Sequence, residues 1–495
     1  MRQSLITMAV GMALVAGCKD VPNPNVFCDG TSKYPCNDSA FPYCDVGSGR
    51  CVSAIPDLGG CTGSVCDLSC GACDLGVDMT SCQTSAQCAD VAPICSSMAC
   101  RACTGPTDDA ECVSHNTNTP RCDSNSGNCV ACLPANNAQS ADCKAAMSPI
   151  CGAGSICRVC AAHAECGSLV CNSDGSCAAQ SDVAYVDNKN GTCTGTHTGT
   201  IGDPYCDIQI AIMMSGKSIV RAAGSTLAYG RLTIASGSIT IVGPGGMTSP
   251  SVKVGGDLTN PAVSVSGSST AVKLDGIEIT GGGAGQDGVV CSSTTVGPAL
   301  TLFRTYVHNV PGRGLTTSKC VVTVDRTQIG PANGGGGMGI TDGTYAVTNS
   351  FIVANGTLGP GVALSTGSTG TFRHNSVVNN LVAAGIGGID CGTGAMKTIE
   401  NSIVFGNTKS GASQVTTTCS LAFVDIDETS AVSSNRNVAP DFVNAVTSDF
   451  HLNGKTANNN SCCIDQIASS PILYDYDGTA RPQNVKWDIG AHELK

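Results

Sequence analysis

Val322-Thr-Val-Asp-Arg-Thr-Gln-Ile329, Tyr345-Ala-Val-Thr-Asn-Ser-Phe-Ile352, Thr371-Phe-Arg-His-Asn-Ser-Val-Val378 and Lys397-Thr-Ile-Glu-Asn-Ser-Ile-Val404 repeat one pattern. In each, two short alternating strands flank a polar corner, at Thr327, Ser350, Ser376 and Ser402. Alternation of apolar and polar residues marks a strand with one buried face. The same pattern fits Ala271–Ile279 and Leu300–Val307, with corners at Gly276 and Thr305. Successive copies lie roughly 22–29 residues apart, a period that calls for a stacked solenoid and that a flat sandwich would not need. The fold expected is therefore mainly β, a right-handed parallel β-helix over residues 181–495.

The stacking carries further expectations. Just before the corners sit Asp275, Arg304, Arg326, Asn349, Asn375 and Asn401. The three Asn would share a column about 4.8 Å apart, where amide ladders satisfy turn groups. Asp275 would pair with Arg304 on the next rung. A further strand opens at Gly288, Gly314, Gly339, Gly361 and Gly385, each followed by an aliphatic residue. Fifteen residues past each corner lie Cys291, Cys320, Asp342, Ser365 and Cys391. Cys291 and Cys320 are thus expected to bridge neighbouring rungs, as are Cys391 and Cys419 with a two-residue offset. Gly281–Gly283 and Gly334–Gly337 read as loops bulging from the solenoid, since no helix follows either as a phosphate loop requires. Ile208, Ala211 and Ile212 have helical spacing and predict a short helix capping the open end. Ser218–Gly224 would then be the first strand and turn. Cys193 and Cys206 flank this entry and are expected in disulfide linkage.

Composition bounds the function. The net charge is −12, charged residues make up 13% and no basic run occurs, which excludes nucleic acid as a partner. Apolar residues reach 41%, too many for a disordered chain. At 495 residues two or more modules are expected. Of the 33 cysteines, 25 precede Ser181. That density implies an oxidising compartment and a disulfide framework over 28–180.

The cysteines fall in fours. Cys82, Cys88, Cys95 and Cys100 form one unit, and units beginning at Cys103, Cys132 and Cys160 follow. Cys28, Cys36, Cys44 and Cys51 form a divergent earlier unit, and Cys61, Cys66, Cys70 and Cys73 a compressed one. Four Cys-x-x-Cys pairs, beginning at Cys70, Cys100, Cys129 and Cys157, resemble zinc knuckles in isolation. The last three straddle a unit boundary, so disulfides are expected and no metal. Four cysteines allow three pairings, and the sequence leaves the choice open. Units this small need bridges in place of a core, and a row of them reads as a spacer or a binding array.

The N-terminus carries Arg2, an apolar stretch from Leu5 to Val15, and Val15-Ala-Gly-Cys18. The stretch is too short for a stable transmembrane helix. It resembles the lipobox of bacterial lipoproteins. The resemblance implies a signal peptide over 1–17, a lipidated Cys18 and a linker to residue 27. Acyl chains would tether the protein to a membrane. Lys19 follows the Cys, which under that resemblance favours the outer membrane or cell surface. Lipidation of Cys18 would also account for the odd cysteine count.

The opening Tyr185-Val-Asp187 and the short cap resemble pectin-lyase-like proteins. The tail reads Cys462-Cys-Ile-Asp465, Asp475-Tyr-Asp-Gly-Thr-Ala-Arg-Pro482 and Trp487-Asp-Ile-Gly-Ala-His-Glu493. It closely resembles that of choice-of-anchor Q domain proteins, exported β-helix proteins. Cys462 and Cys463 stand where small residues are usual there, so a local disulfide is expected. The resemblance covers about 310 residues and implies architecture more than activity.

Pectin-lyase-like folds include polysaccharide lyases and hydrolases. A lyase needs a Ca2+-binding acidic cluster with an Arg or Lys base, and a hydrolase needs paired carboxylates. Candidate groups are Asp342, Asp390, Glu400, His374 and Arg373. Asp325, His374 and Glu400 would share a column, with Arg304, Arg326 and Arg373 placed to meet an acidic sugar. Asp325 has Arg326 as a local partner, and no three acids converge. The function expected is a membrane-anchored surface protein that binds a glycan or protein without catalysis and without a cofactor. The alternative is a polysaccharide-active enzyme.

Overall fold

The computed structural model describes residues 82–495 except 134–138, 146, 245–251, 296, 408–412 and 429–431, together with the strand pair Tyr43–Asp45 and Arg50–Val52. Cys18, the segment before it, and the side chains of the cysteines from Cys28 to Cys73 lie outside the described residues. The chain divides into two compact units, Met1–Ala102 and Cys103–Lys495. The change of composition at Ser181 is therefore not a break in packing, because the last three cysteine units share one unit with everything that follows.

Each of the four described cysteine units closes first-to-third and second-to-fourth. The bridges are Cys82–Cys95 and Cys88–Cys100, Cys103–Cys122 and Cys112–Cys129, Cys132–Cys151 and Cys143–Cys157, and Cys160–Cys171 and Cys166–Cys177. A small antiparallel pair in each unit sets its third cysteine opposite its fourth, as at Cys95 and Cys100 or Cys122 and Cys129. Adjacent partners in the pair thus bond outward to two different cysteines. The described Cys-x-x-Cys sulfurs are all consumed in these bridges.

Beyond the units the chain winds as a parallel β-helix. From Ser238 to Phe405 each turn gives one strand to each of three parallel sheets, of ten, eight and seven strands. In the ten-stranded sheet Leu274 faces Leu302, then Val324, Val347, Phe372, Ile399 and Leu421, at separations of 22 to 28 residues. The eight-stranded sheet stacks Ile279, Val307, Ile329, Ile352, Val377 and Val404. The seven-stranded sheet stacks Val263, Val289, Leu315, Met338, Val362 and Ile389. These columns meet inside as one core. Each large aliphatic contributes about 1.5–3 kcal/mol by leaving water. The helix Ile208–Met214 covers the N-terminal end, with Asp207 capping its first turn. Val183–Val186 pairs with Ile219–Ala222 and is the first strand, one rung earlier than the sequence suggested.

The corner column needs correction. Residues at Gly276, Arg304, Arg326, Asn349, His374 and Asn401 are left-handed, with φ from 48° to 67°. Gly276 and His374 occupy the places expected for Asp275 and Asn375, because the ladder sets Asp275 opposite Phe303, and Arg373, not His374, opposite Thr348 and Glu400. Asn375 falls one position later, where its side chain bonds the Ser350 amide and the Val347 carbonyl.

The true amide ladder lies at the following corner. Asn333, Asn355, Asn380 and Asn407 each pass Nδ2 to the next side-chain carbonyl, at 2.9, 2.8 and 2.8 Å, and the series ends on Gln414 at 2.8 Å. A glycine column faces it: Gly288, Gly314, Gly337, Gly361 and Gly388. Gly337 and Gly388, not Gly339 and Gly385, hold this register. A Cβ on Gly361 would lie 2.6 Å from Asn380 Nδ2, so close approach, not φ, selects glycine there. Gly334–Gly337 do not bulge, since a Cβ on Gly334 would sit 2.4 Å from the Pro311 carbonyl.

Candidate functional site

The outer face of the ten-stranded sheet carries a cleft of about 740 Å³. Its floor is Lys273, Thr301, Phe303, Arg304, Thr323 and Arg326. One wall is the last cysteine unit, through His163 and Cys171–Gly175, and the other is the tail segment Pro471–Tyr474. Outward positions on adjacent rungs align these side chains, and the left-handed corners at Arg304 and Arg326 begin the next strand beside them.

Three cations gather over one aromatic ring. Lys273 Nζ lies 4.9 Å, Arg304 Cζ 4.8 Å and Arg326 Cζ 5.5 Å from the Phe303 centroid. Asp275 is buried beneath them. Its Oδ1 accepts from Arg304 Nε at 2.9 Å, and Lys273 Nζ lies 3.3 Å from Oδ2. His163 Nε2 reaches in from the cysteine unit, 3.0 Å from Arg304 Nη2. Burial alone would raise the Asp275 carboxyl. His163, Arg304 and Lys273 outweigh it and hold the group down at about 2. Arg326 has only its Nε committed, to the Tyr476 carbonyl at 3.0 Å. Burial and then the neighbouring Arg304 charge lower its proton affinity. Asp325 turns away from Arg326, its expected partner, and accepts from Thr348 Oγ1 at 2.8 Å and Asn349 Nδ2 at 3.0 Å.

A second lobe of about 730 Å³ shares Ala161, Arg304 and Arg326 and is closed by Asp449, His451, Tyr476 and Asp477. His451 Nδ1 is 2.6 Å from Asp449 Oδ1. Its Nε2 is 3.2 Å from Asp477 Oδ2, close enough for an ion pair but too oblique for a good hydrogen bond. Burial alone would lower His451. The two carboxylates, Asp477 foremost, raise it to about 9, so at neutral pH it is a cation held between two anions.

The residues expected to be catalytic do not converge here. Arg373 and Glu400 share a column and form an ion pair with each other. His374 is fully buried under the tail, with Nδ1 3.2 Å from the Asp488 carbonyl and Nε2 2.8 Å from Ser470 Oγ. Burial pushes its proton affinity down, with Arg481 adding to the effect, so it stays neutral. Asp342 is exposed at a left-handed position past Met338–Thr341, and Asp390 lies in a strand two rungs on, bonded to the Gly392 amide. The expected column of Asp325, His374 and Glu400 is Asp325, Arg373 and Glu400 instead.

The structure bonds Cys291 to Cys320, Cys391 to Cys419, Cys193 to Cys206 and Cys462 to Cys463. Cys291 does not stack on Cys320, since its ladder partner is Thr317. Both inter-rung bridges instead span a corner, from the end of a seven-stranded-sheet strand to the start of the ten-stranded-sheet strand that follows one full turn later, at Val321–Asp325 and Cys419–Ala422.

The tail motif is a structural clasp. Arg481 is fully buried, donating to Glu493 Oε2 at 3.0 Å and to the carbonyls of Asp488 and Gly490. Asp475 accepts from the Thr479 and Glu493 amides. The clasp packs its apolar side on Phe351, Val353, Val378 and Ile403.

Phe303, Lys273, His163 and the Asp449–His451–Asp477 group were not singled out as site residues by the sequence. The alternation marks Lys273 as outward-facing, but nothing local brings a residue 110 positions upstream onto it.

No family model matches the sequence, and no curated protein matches it. Among solved structures, pectate lyase Pel9A aligns at 14% identity with a TM-score of 0.35, over 63% of this chain and 96% of that one.

Proposed function

We propose that the chain is an exported, lipid-anchored surface protein whose β-helix binds a carboxylated glycan without chemistry. The observation that carries this is the meeting of Lys273, Arg304 and Arg326 on the Phe303 ring between two walls. An aromatic platform edged by guanidinium groups suits the face and the carboxylate of an acidic sugar. Catalysis is disfavoured by the state of the acids. Asp275 and Asp477 are held ionised, Asp477 chiefly by His451, whereas glycoside hydrolysis needs one protonated carboxyl. Asp275 and Asp325 are committed to side chains of their own sheet, which does not fit a Ca2+ cluster. The apolar stretch ending at Cys18 supports lipid attachment and an outer-membrane or cell-surface location. The likeness of the tail to choice-of-anchor Q proteins supports export.

Titration of the purified chain with polygalacturonate tests the binding. The Arg304→Gln, Arg326→Gln double variant is expected to bind roughly tenfold or more weakly, from loss of charged hydrogen bonds. Equal binding by the variant, or a preference for neutral glycans, rejects the reading. Cys18→Ala should move the protein from the membrane to the soluble fraction and remove acyl mass from its N-terminal peptide.

One observation favours a lyase instead: the lowered proton affinity of Arg326, a base candidate with one committed nitrogen. Turnover of polygalacturonate that disappears in Arg326→Gln would establish that reading.

A further inference from the structure

At the N-terminal end of the β-helix, the loop between Val183–Val186 and the cap helix carries a cystine with a built-in acid. Cys193 bonds to Cys206. His197 Nε2 lies 3.6 Å from Cys193 Sγ. On the other side of the ring, Nδ1 is 2.7 Å from Asp203 Oδ1. Asp203 is itself fixed, for its Oδ2 accepts from the Thr198 amide at 2.9 Å and the Thr198 hydroxyl at 2.8 Å. The Thr194 carbonyl, 3.2 Å from Nε2, gives the second ring nitrogen an acceptor as well. A protonated His197 therefore has an acceptor at each nitrogen while one N–H stays beside the sulfur. Both cysteines are partly exposed as residues, whereas Cys291, Cys320, Cys462 and Cys463 are fully buried.

We propose that Cys193–Cys206 is a thiol-exchange site with a fixed direction. An incoming thiolate attacks Cys206 Sγ and the Cys206–Cys193 bond breaks. The new bond joins the incoming sulfur to Cys206, and Cys193 leaves as a thiolate carrying the electron pair. The imidazolium of His197 stabilises that thiolate and then protonates it. No net electron is lost, since one disulfide replaces another. Exchange is faster when the leaving thiolate is better stabilised, and an adjacent imidazolium is a known means of doing so. Asp203 acts as a positioning residue by holding the ring with Nε2 toward the sulfur. The ligand class is a small or protein-borne thiol that reaches this end of the β-helix.

The test treats the oxidised full-length chain with reduced glutathione, blocks free thiols with iodoacetamide and maps the peptides by mass spectrometry. Glutathione is expected on Cys206 and carbamidomethyl on Cys193, ahead of reaction at Cys291–Cys320 and Cys391–Cys419. His197→Gln should slow this bridge roughly tenfold and lose the preference for Cys206. Asp203→Asn should give a smaller slowing with the preference kept. Intact Cys291–Cys320 and Cys391–Cys419 bridges in the same maps certify that each variant is folded. Glutathione on Cys193, an unchanged rate in His197→Gln, or a bridge no faster than the buried ones overturns the proposal.

Discussion

Asn380 shows how one residue holds two rungs. Its Nδ2 donates to the Ile352 carbonyl and to Asn407 Oδ1, and its Oδ1 accepts from the Asn355 amide and side chain. All of this is out of contact with water. Asn380→Ala would strand donors and acceptors on both sides, each costing about 1–3 kcal/mol. A destabilisation of roughly 3 kcal/mol is expected in denaturant unfolding, against less than about 0.5 kcal/mol for a surface change such as Thr371→Ala. The ladder has a sequence trace, since Asn355, Asn380 and Asn407 each fall five residues past a residue of the preceding corner column, Ser350, Asn375 and Ser402. The expected ladder at Asn349, Asn375 and Asn401 was misplaced because the pattern around His374-Asn375-Ser376 fits two registers. Only the hydrogen-bonded partner of Arg373 chooses between them.

At the scale of elements, the attachment of the tail depends on charge. His451 has a folded value of about 9 against the ordinary 6.5, so the folded state holds its proton more tightly. That contribution is complete below 6.5 and is lost as pH rises through about 9. Burial raises Asp425 and Asp488 to about 7, so they too favour the folded state when protonated and oppose it as pH rises from about 4 to 7. His492, lowered by burial to about 4, works the other way between 4 and 6.5. Above pH 6.5 the opposing effect is finished. The thermal midpoint is therefore expected to fall steadily from pH 6.5 to 9. His451→Gln should flatten the part above pH 7, and an unchanged slope in that variant would refute the assignment. The tail motif was legible as an end-cap because its sequence is distinctive. Its partners were not, because Phe351, Val378 and Ile403 lie up to 140 residues upstream.

At the scale of the molecule, the cysteine units are more than a spacer. The last one seats on the β-helix through an apolar patch, Val170 and Ala178 against Val183, Tyr185 and Val242, and through three polar contacts. His163 meets Arg304, Tyr185 donates its hydroxyl to the Ser168 carbonyl at 3.0 Å, and Arg221 Nε donates to the Leu169 carbonyl at 2.9 Å. His163 also accepts from the Cys171 amide. His163→Ala should therefore loosen residues 158–177 without unwinding the β-helix. Hydrogen exchange is expected to accelerate in that segment by roughly tenfold or more, for a loss of about 1–3 kcal/mol, while the ladder strands keep their protection. Equal protection would mean that the Tyr185 and Arg221 contacts and the apolar packing of Val170 and Ala178 hold the unit without His163.

The sequence by itself determined the winding, the inward columns and the grouping of cysteines. These follow from local alternation and from a period that recurs in every copy. It also supplied the tail, whose residues are contiguous. Only the tertiary structure decided the disulfide pairing within each unit, the register at His374 and the cleft over Phe303. Pairing and register are choices among arrangements of nearly equal local energy, so they are settled by which backbone partners close without strain. The cleft joins His163, Lys273, Arg326 and Tyr474 from three separate stretches. Side chains so far apart in the chain meet only because the last cysteine unit and the tail both pack on one face of the helix.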